Sequence, residues 1–209
     1  MKITTVGIDL AKNVFQIHSI DEHGKAVLKK QLKRDQMAAF FVNLPSCLIG
    51  MEACSGAHHW ARKLHSLGHE VRLMAPQYVK AYVKTNKNDA ADAEAICEAV
   101  GRPNMRFVPV KNVEQQAVLA LHRVRQGFVK ARTAQANQIR GLLAEFGLVI
   151  PQGIGHIAAR APELIEDASN DLPGTFRLLV QRLLDHFKEL DRKSTNSKPG
   201  SRPGTGPTT

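Results

Sequence analysis

Short apolar runs broken by turn residues fill the first hundred positions of the chain, and long helical recurrences fill most of the rest. Ile3 to Asp9, Ile-Thr-Thr-Val-Gly-Ile-Asp, is β-branched and apolar, which predicts a central strand. Val14 to Ile20 alternates and predicts a second strand, Asp21-Glu22-His23-Gly24 a turn, and Ala26 to Leu32 a third strand. Three strands joined so tightly form an antiparallel meander. A helix beginning at Arg34 or Asp35 carries Met37, Phe40 and Phe41 and stops before Pro45. Next come a buried strand at Cys47 to Glu52, a helix at Ala57 to Leu67 closed by Gly68 as a left-handed cap, and a fifth strand at Glu70 to Met74. After Pro76 and a basic stretch, Tyr78 to Lys84, a helix is predicted from Asp89 to about Val100. Gly101-Arg102-Pro103-Asn104 breaks it, and a short extended piece, Arg106 to Val108, leads away.

The order β-β-β-α-β-α-β-α is that of an α/β, RNase H-like fold: a mixed sheet with flanking helices that presents acids at strand ends. Beyond the break, Val113 to Phe146 holds no proline and predicts one long helix. Leu121, Phe128, Gln135 and Leu142 recur every seven residues, with Val124, Ala131 and Gln138 between them, a seam with a polar middle. Gly147 to Asp171 is punctuated by glycine and proline and predicts at most a short helix near Glu163. A last helix over Phe176 to Arg192 spaces Phe176, Val180, Leu183, Phe187 and Leu190 by four and three. Two such seams predict an antiparallel helical hairpin, a coiled coil able to join copies into a homo-oligomer. From Lys193 the composition turns to Ser, Thr, Pro and Gly, which cannot build a core. The expected domains are therefore 1–108, sheet; 112–192, helical; and 193–209, a disordered tail.

Charge narrows the choice of partner. Lys and Arg number 29 against 19 Asp and Glu, a net charge of +10, which favours a polyanion; nucleic acid leads, with an acidic membrane surface or plain solubility as the alternative. The three cysteines, Cys47, Cys54 and Cys97, form no Cys-x-x-Cys pair and read as core thiols of a reducing compartment. No run approaches the ~18 apolar residues of a membrane span, and the N-terminus lacks a secretion pattern, so a cytoplasmic location is expected.

Four acids carry the candidate chemistry. In an extended strand Thr5, Gly7 and Asp9 share one face, and Leu48, Gly50 and Glu52 do the same in the fourth strand. Each acid follows a glycine by two residues, which leaves space for a packed helix or a metal. Lys87-Asn88-Asp89-Ala90-Ala91-Asp92-Ala93 places Asp89 and Asp92 one turn apart on a helix. Four carboxylates brought together repel one another strongly without a cation. Mg²⁺ takes hard oxygen ligands and keeps positions open for phosphate and water, and two such ions suit in-line phosphodiester displacement. Each acid also has a plainer reading: a turn residue for Asp9, a surface charge for Glu52, helix N-terminal charges for Asp89 and Asp92.

Lys80, Lys84 and Lys87 follow helical spacing toward the acids with Tyr78 and Tyr82 beside them, a phosphate clamp or a solvated lysine face over core tyrosines. Lys12, just after Asp9, leans to phosphate contact. His58 and His59 diverge by about 100° on a helix, so neither they nor His65 and His69 read as metal ligands. Arg123, Arg125, Lys130, Arg132 and Arg140 crowd the long helix, where a solvated face is the default reading.

Gly-Ile-Asp-Leu-Ala-Lys at 7–12, Gly-Met-Glu-Ala-Cys-Ser-Gly-Ala-His-His-Trp-Ala at 50–61 and Lys-Asn-Asp-Ala-Ala-Asp-Ala at 87–93 resemble the DEDD transposases of bacterial insertion sequences, IS-110 type, from Met1 to about Arg192. The resemblance implies a RuvC-like catalytic domain using Mg²⁺ on DNA, with Asp9, Glu52, Asp89 and Asp92 as catalytic acids and the helical region as the coiled coil used in assembly. It also implies association with a structured guide RNA from the element. The family continues into a C-terminal domain bearing a nucleophilic serine. Here the low-complexity stretch takes its place, and truncation or frameshift near Lys193 is the expectation. Two rival readings predict different behaviour: a junction-type nuclease complete as it stands, and a non-catalytic nucleic-acid-binding remnant. An actin-like sugar kinase would need a second phosphate loop and a much longer chain.

Overall fold

The computed structural model describes residues 2–83 and 89–196, so Lys84, Lys87 and the tail from 197 onward lie outside the described residues. The chain divides into two compact units, 1–112 and 113–209.

In the first unit, strands β1 (Thr5–Leu10), β2 (Val14–Ile20), β3 (Ala26–Lys33), β4 (Leu48–Glu52), β5 (Glu70–Met74) and β6 (Phe107–Val108) form one mixed sheet in the order β3-β2-β1-β4-β5-β6. The meander β1-β2-β3 is antiparallel, and β1, β4 and β5 run parallel. The piece expected to lead away at Arg106 to Val108 instead returns as an edge strand, β6, antiparallel to β5 through Leu73↔Val108 and Met74↔Phe107. The Arg72 guanidinium lies 4.9 Å from the Phe107 ring centre, a cation–π contact that helps to hold so short a strand. At the other edge, β3 exposes Lys29, Lys30 and Lys33, charges that discourage further strand pairing.

Each face of the sheet has its own partner. Helices α1 (Gln36–Val42) and α2 (Ala57–Ser66) share a core with Val6, Ile8, Phe15, Ile17, Ile49 and Met51, the residues that alternate with the acid-bearing positions. Gly68, at φ +90°, ends α2: its N–H and that of His69 return to the carbonyls of His65 and Leu64, a turn that a residue with Cβ would adopt only under strain. After a short helix, α3 (Pro76–Val79), and a 3₁₀ turn (Lys80–Tyr82), helix α4 (Asp89–Val100) packs against β1, β2 and β4.

The second unit holds α5 (Val113–Ala144), α6 (Ile154–Glu166) and α7 (Gly174–Asn196) around a core that includes Ile139, Leu143, Ile157, Leu184 and Phe187. Arg132 of α5 pairs with Asp191 near the end of α7, while Phe146, just past α5, meets Phe176 at the start of α7 at 4.2 Å between ring centres. Those two contacts make α5 and α7 antiparallel. Within this unit the structure differs from the sequence pattern in three places. Helix α6 is 13 residues long, with Pro162 inside it, where at most a short helix was expected. Its apolar residues Ile157, Ala161 and Ile165 bury against the other two helices, and this packing outweighs the cost of proline in a helix. On α5 the buried positions are Ala136, Ile139 and Leu143, each one residue past the expected Gln135, Gln138 and Leu142. The glutamines thereby stay at the flank of the packed face. Lastly, α7 continues through Lys193 to Asn196: Ser194 is buried, its hydroxyl donating to the Asp191 carbonyl and accepting from Arg132.

Arginines of this unit serve its loops. Arg140 donates to the carbonyls of Ile150 and Gly153, and Arg177 gathers those of Ile165, Asp167, Asn170 and Leu172.

Candidate metal centre

The glycines of β1 and β4 explain how the acids meet. Gly7 and Gly50 are register partners on neighbouring strands. A Cβ on Gly7 would stand 2.2 Å from the Ala93 carbonyl oxygen and 2.4 Å from the Cys97 nitrogen, and one on Gly50 would stand 2.7 Å from the Val100 side chain. The space the glycines leave is thus filled by α4, whose backbone presses on β1. Ala93 and Cys97 lie one helical turn apart on the face that meets the strand, and one turn earlier on that face comes Asp89. From the Gly7 contact, two residues along β1 cover about 6.6 Å and reach Asp9. Four residues back along α4 cover about 6 Å and reach Asp89. One carboxylate oxygen each from Asp9, Asp89 and Asp92 accordingly lie within 4.8 Å of one another. Asp9 and Asp92 are half-buried and Asp89 is exposed. Asp89 and Asp92 occupy the first turn of α4, where the helix dipole favours negative charge.

Glu52 is not one of the three. The parallel register pairs Ile8 with Met51, so the next step along both strands sets Asp9 beside Glu52. Glu52 and Asp92 line a cavity of about 440 Å³ together with Pro76, Lys80 and Val83. Cys54 reports the same neighbourhood: burial first, then the charges of Glu52 and Asp9, push its thiol above the ordinary cysteine range. Cys54, expected as a core thiol, is only partly buried, and its place two residues after Glu52 is the sequence signal for this neighbourhood.

Of the predicted phosphate contacts, Lys80 is exposed on the wall of the Glu52 and Asp92 cavity, and Lys12 is exposed in the turn after β1. Lys84 and Lys87 lie outside the described residues. The helical run expected through Lys80 is broken into the short α3 and a 3₁₀ turn. Tyr82 packs against the α4 core, with the Arg102 guanidinium 5.7 Å from its ring centre. Two of the histidines, His58 and His69, have ordinary structural partners. His69 is buried between the Phe41 carbonyl at 3.0 Å and the Cys47 sulfur at 3.5 Å, and His58 accepts the Lys111 N–H at 3.2 Å. Burial raises the thiols of Cys47 to about 11 and Cys97 to about 12, so both are inert at neutral pH.

All three convergent donors are hard oxygens, the set that suits Mg²⁺ or a similar divalent ion, and their mutual repulsion is what such an ion relieves.

Comparison with known proteins gives the family. The sequence profile of the IS-110 type DEDD transposases, described as Transposase, matches residues 6–147. A "Probable family 20 transposase" of Pseudomonas aeruginosa is 50% identical over 194 residues, covering 92% of this chain and 57% of that protein. The transposase for insertion sequence element IS1328 of Yersinia enterocolitica is 43% identical over 93% of this chain and 59% of its own length. The transposase for insertion sequence element IS1111A of Coxiella burnetii is 46% identical over 90% of this chain and 52% of its own length. The chain thus spans little more than half the length of these relatives. On the profile match and on relatives aligned across nine-tenths of its length, the chain belongs to the DEDD transposase family of insertion sequences, IS-110 type.

Proposed function

We propose that this chain supplies the catalytic domain of an insertion-sequence transposase or recombinase that cuts or exchanges DNA strands, with Asp9, Glu52, Asp89 and Asp92 as its acid site. The observation that carries the proposal is the convergence of Asp9, Asp89 and Asp92 within 4.8 Å, in a member of this family. Their carboxylates would hold divalent metal, Mg²⁺ by their chemistry, and Glu52 would complete the set, with room for two ions. Bound Mg²⁺ would supply activation of the attacking oxygen and neutralisation of charge at the leaving one.

The protein's own part is positional. The Gly7 seat holds α4 against β1, so the spacing between Asp9 and the two helix acids is set by close backbone packing rather than by flexible loops. Lys80, which lines the same cavity as Asp92 and Glu52, offers a cation to a phosphate approaching the acids. Lys12, and by sequence Lys84 and Lys87, extend that basic approach. The RuvC-like character of the domain and use of a guide RNA from the element belong to the same reading. So does assembly of copies through the helical region. Supporting assembly, Val118, Leu121 and Val124 on the first half of α5 are all exposed, an apolar run that a second copy would cover.

The direct test is metal-dependent cleavage or strand exchange on the ends of the element, wild type against Asp92→Asn. The variant should lose more than about 100-fold in rate with its circular dichroism unchanged. Undiminished rates in the variant would remove the acid site from the mechanism.

A further inference from the structure

A second cavity, of about 620 Å³, opens at the end of the sheet where β1 delivers Asp9, and it is lined by Asn13, Val14, Lys33, Arg34, Asp35 and Trp60. The register Leu10↔Phe15 and Val14↔Lys33 ties it to that end. β3 runs two strands from β1, a spacing of about 10 Å. The cavity lies toward the α2 face, since Trp60 belongs to that core, whereas the acids face α4.

Its distinguishing feature is the setting of Arg34. The guanidinium lies 5.5 Å from the Trp60 ring centre and 5.7 Å from that of Phe15, and those two rings are themselves packed edge to face at 5.4 Å. The Arg34 backbone N–H donates to the Asn13 carbonyl at 3.0 Å, and its Nη1 donates to the Lys12 carbonyl at 3.5 Å. One side of the guanidinium is therefore backed by aromatic rings and its position is held by the turn, while the residue as a whole is exposed. Among the described residues none of Lys12, Lys33 and Arg34 is in an ion pair. A planar cation backed by aromatic rings and exposed on its other side offers a stacking surface to an unpaired base, and neighbouring lysines suit the phosphates on either side of it. Asp35 repels phosphate from its corner of the cavity but, with Asn13, can meet the amino and imino groups of a base edge.

We infer that this cavity holds one nucleotide of a single nucleic-acid strand, its base stacked on Arg34 and its flanking phosphates on Lys12 and Lys33. The inference rests on the nucleic-acid reading above and adds to it an anchor outside the acid site. A strand bound there would cross the end of the sheet on its way to Asp9.

Trp60 is the only tryptophan of the chain and lines this cavity, so all of its indole fluorescence comes from a residue beside the bound base. Titration of the whole chain with an oligothymidylate strand, and separately with an oligouridylate strand, should quench Trp60 emission saturably. Quenching by either supports the site, and the tighter of the two identifies the natural strand. Arg34→Ala should weaken binding about tenfold, the size of one lost base stack. Arg34→Lys should weaken it similarly, because lysine keeps the charge and lacks the plane; it also serves should the alanine variant fold poorly. Wild-type affinity in Arg34→Lys, or no quenching by either strand, would overturn the inference. Quenching of Trp60 together with undiminished cleavage of the element ends by Asp92→Asn would support the cavity while counting against the chemistry proposed for the acids.

Discussion

Three carboxylates drawn within 4.8 Å are a destabilising arrangement that folding tolerates and a cation rewards. Mg²⁺ at about 100 times its Kd should stabilise the chain by about 2.7 kcal/mol. Asp9→Asn should remove most of that gain. Thermal melts with and without Mg²⁺ check both, and a wild-type melt indifferent to Mg²⁺ would speak against a metal centre. His18 makes a second residue-scale prediction. It is buried, with Nδ1 3.8 Å from Glu94, and desolvation, with Lys29 adding and Glu94 opposing, lowers its pKa below the ordinary 6.5. The unfolded chain therefore takes up this proton more readily than the folded one. The stability that neutral His18 contributes is complete above about pH 6.5 and is lost as pH falls through the lowered folded value. Denaturant midpoints should drop over that acid range, and His18→Gln should flatten the drop.

At the scale of elements, the site depends on how α4 lies on β1. Gly7→Ala drives a methyl group into the Ala93 carbonyl and the Cys97 amide, backbone atoms that cannot swing aside. It should cost about 3 kcal/mol or more and separate Asp9 from Asp89 and Asp92, so that the Mg²⁺-dependent stabilisation falls with it. Gly50→Ala meets only the Val100 side chain and should cost less; denaturant unfolding of the two variants makes the comparison. Most strands were legible because alternation and β-branching report burial directly. β6 was not, because two residues carry no periodicity and only their pairing with β5 defines them. The seam on α5 was read one position out of phase because Leu121 and Phe128 suggested the phase, whereas burial is concentrated at Ala136, Ile139 and Leu143, where α6 and α7 supply the partners.

For the whole molecule, the net charge of +10 is a statement about association rather than fold. DNA affinity should fall linearly on a plot of log K against log salt, losing about 10³-fold or more between 50 and 200 mM if six or more phosphates are neutralised. A slope near zero in a filter-binding or anisotropy series would contradict a phosphate-dominated interface. Among the described residues no helix is long and apolar enough to cross a membrane.

By itself the sequence determined the five principal strands of the sheet, the helix that begins at Asp89, and an acid two residues past a glycine on each of two strands. Burial and backbone preference are local and leave a periodic trace. What filled the space beside those glycines, a helix or a metal, was decided only by tertiary packing. α4 occupies it, and in doing so carries Asp89 and Asp92 to Asp9 while Glu52 takes the neighbouring cavity wall with Lys80. Distances between acids some eighty residues apart depend on strand register and on how closely two backbones approach, and neither quantity is written in any single stretch of chain.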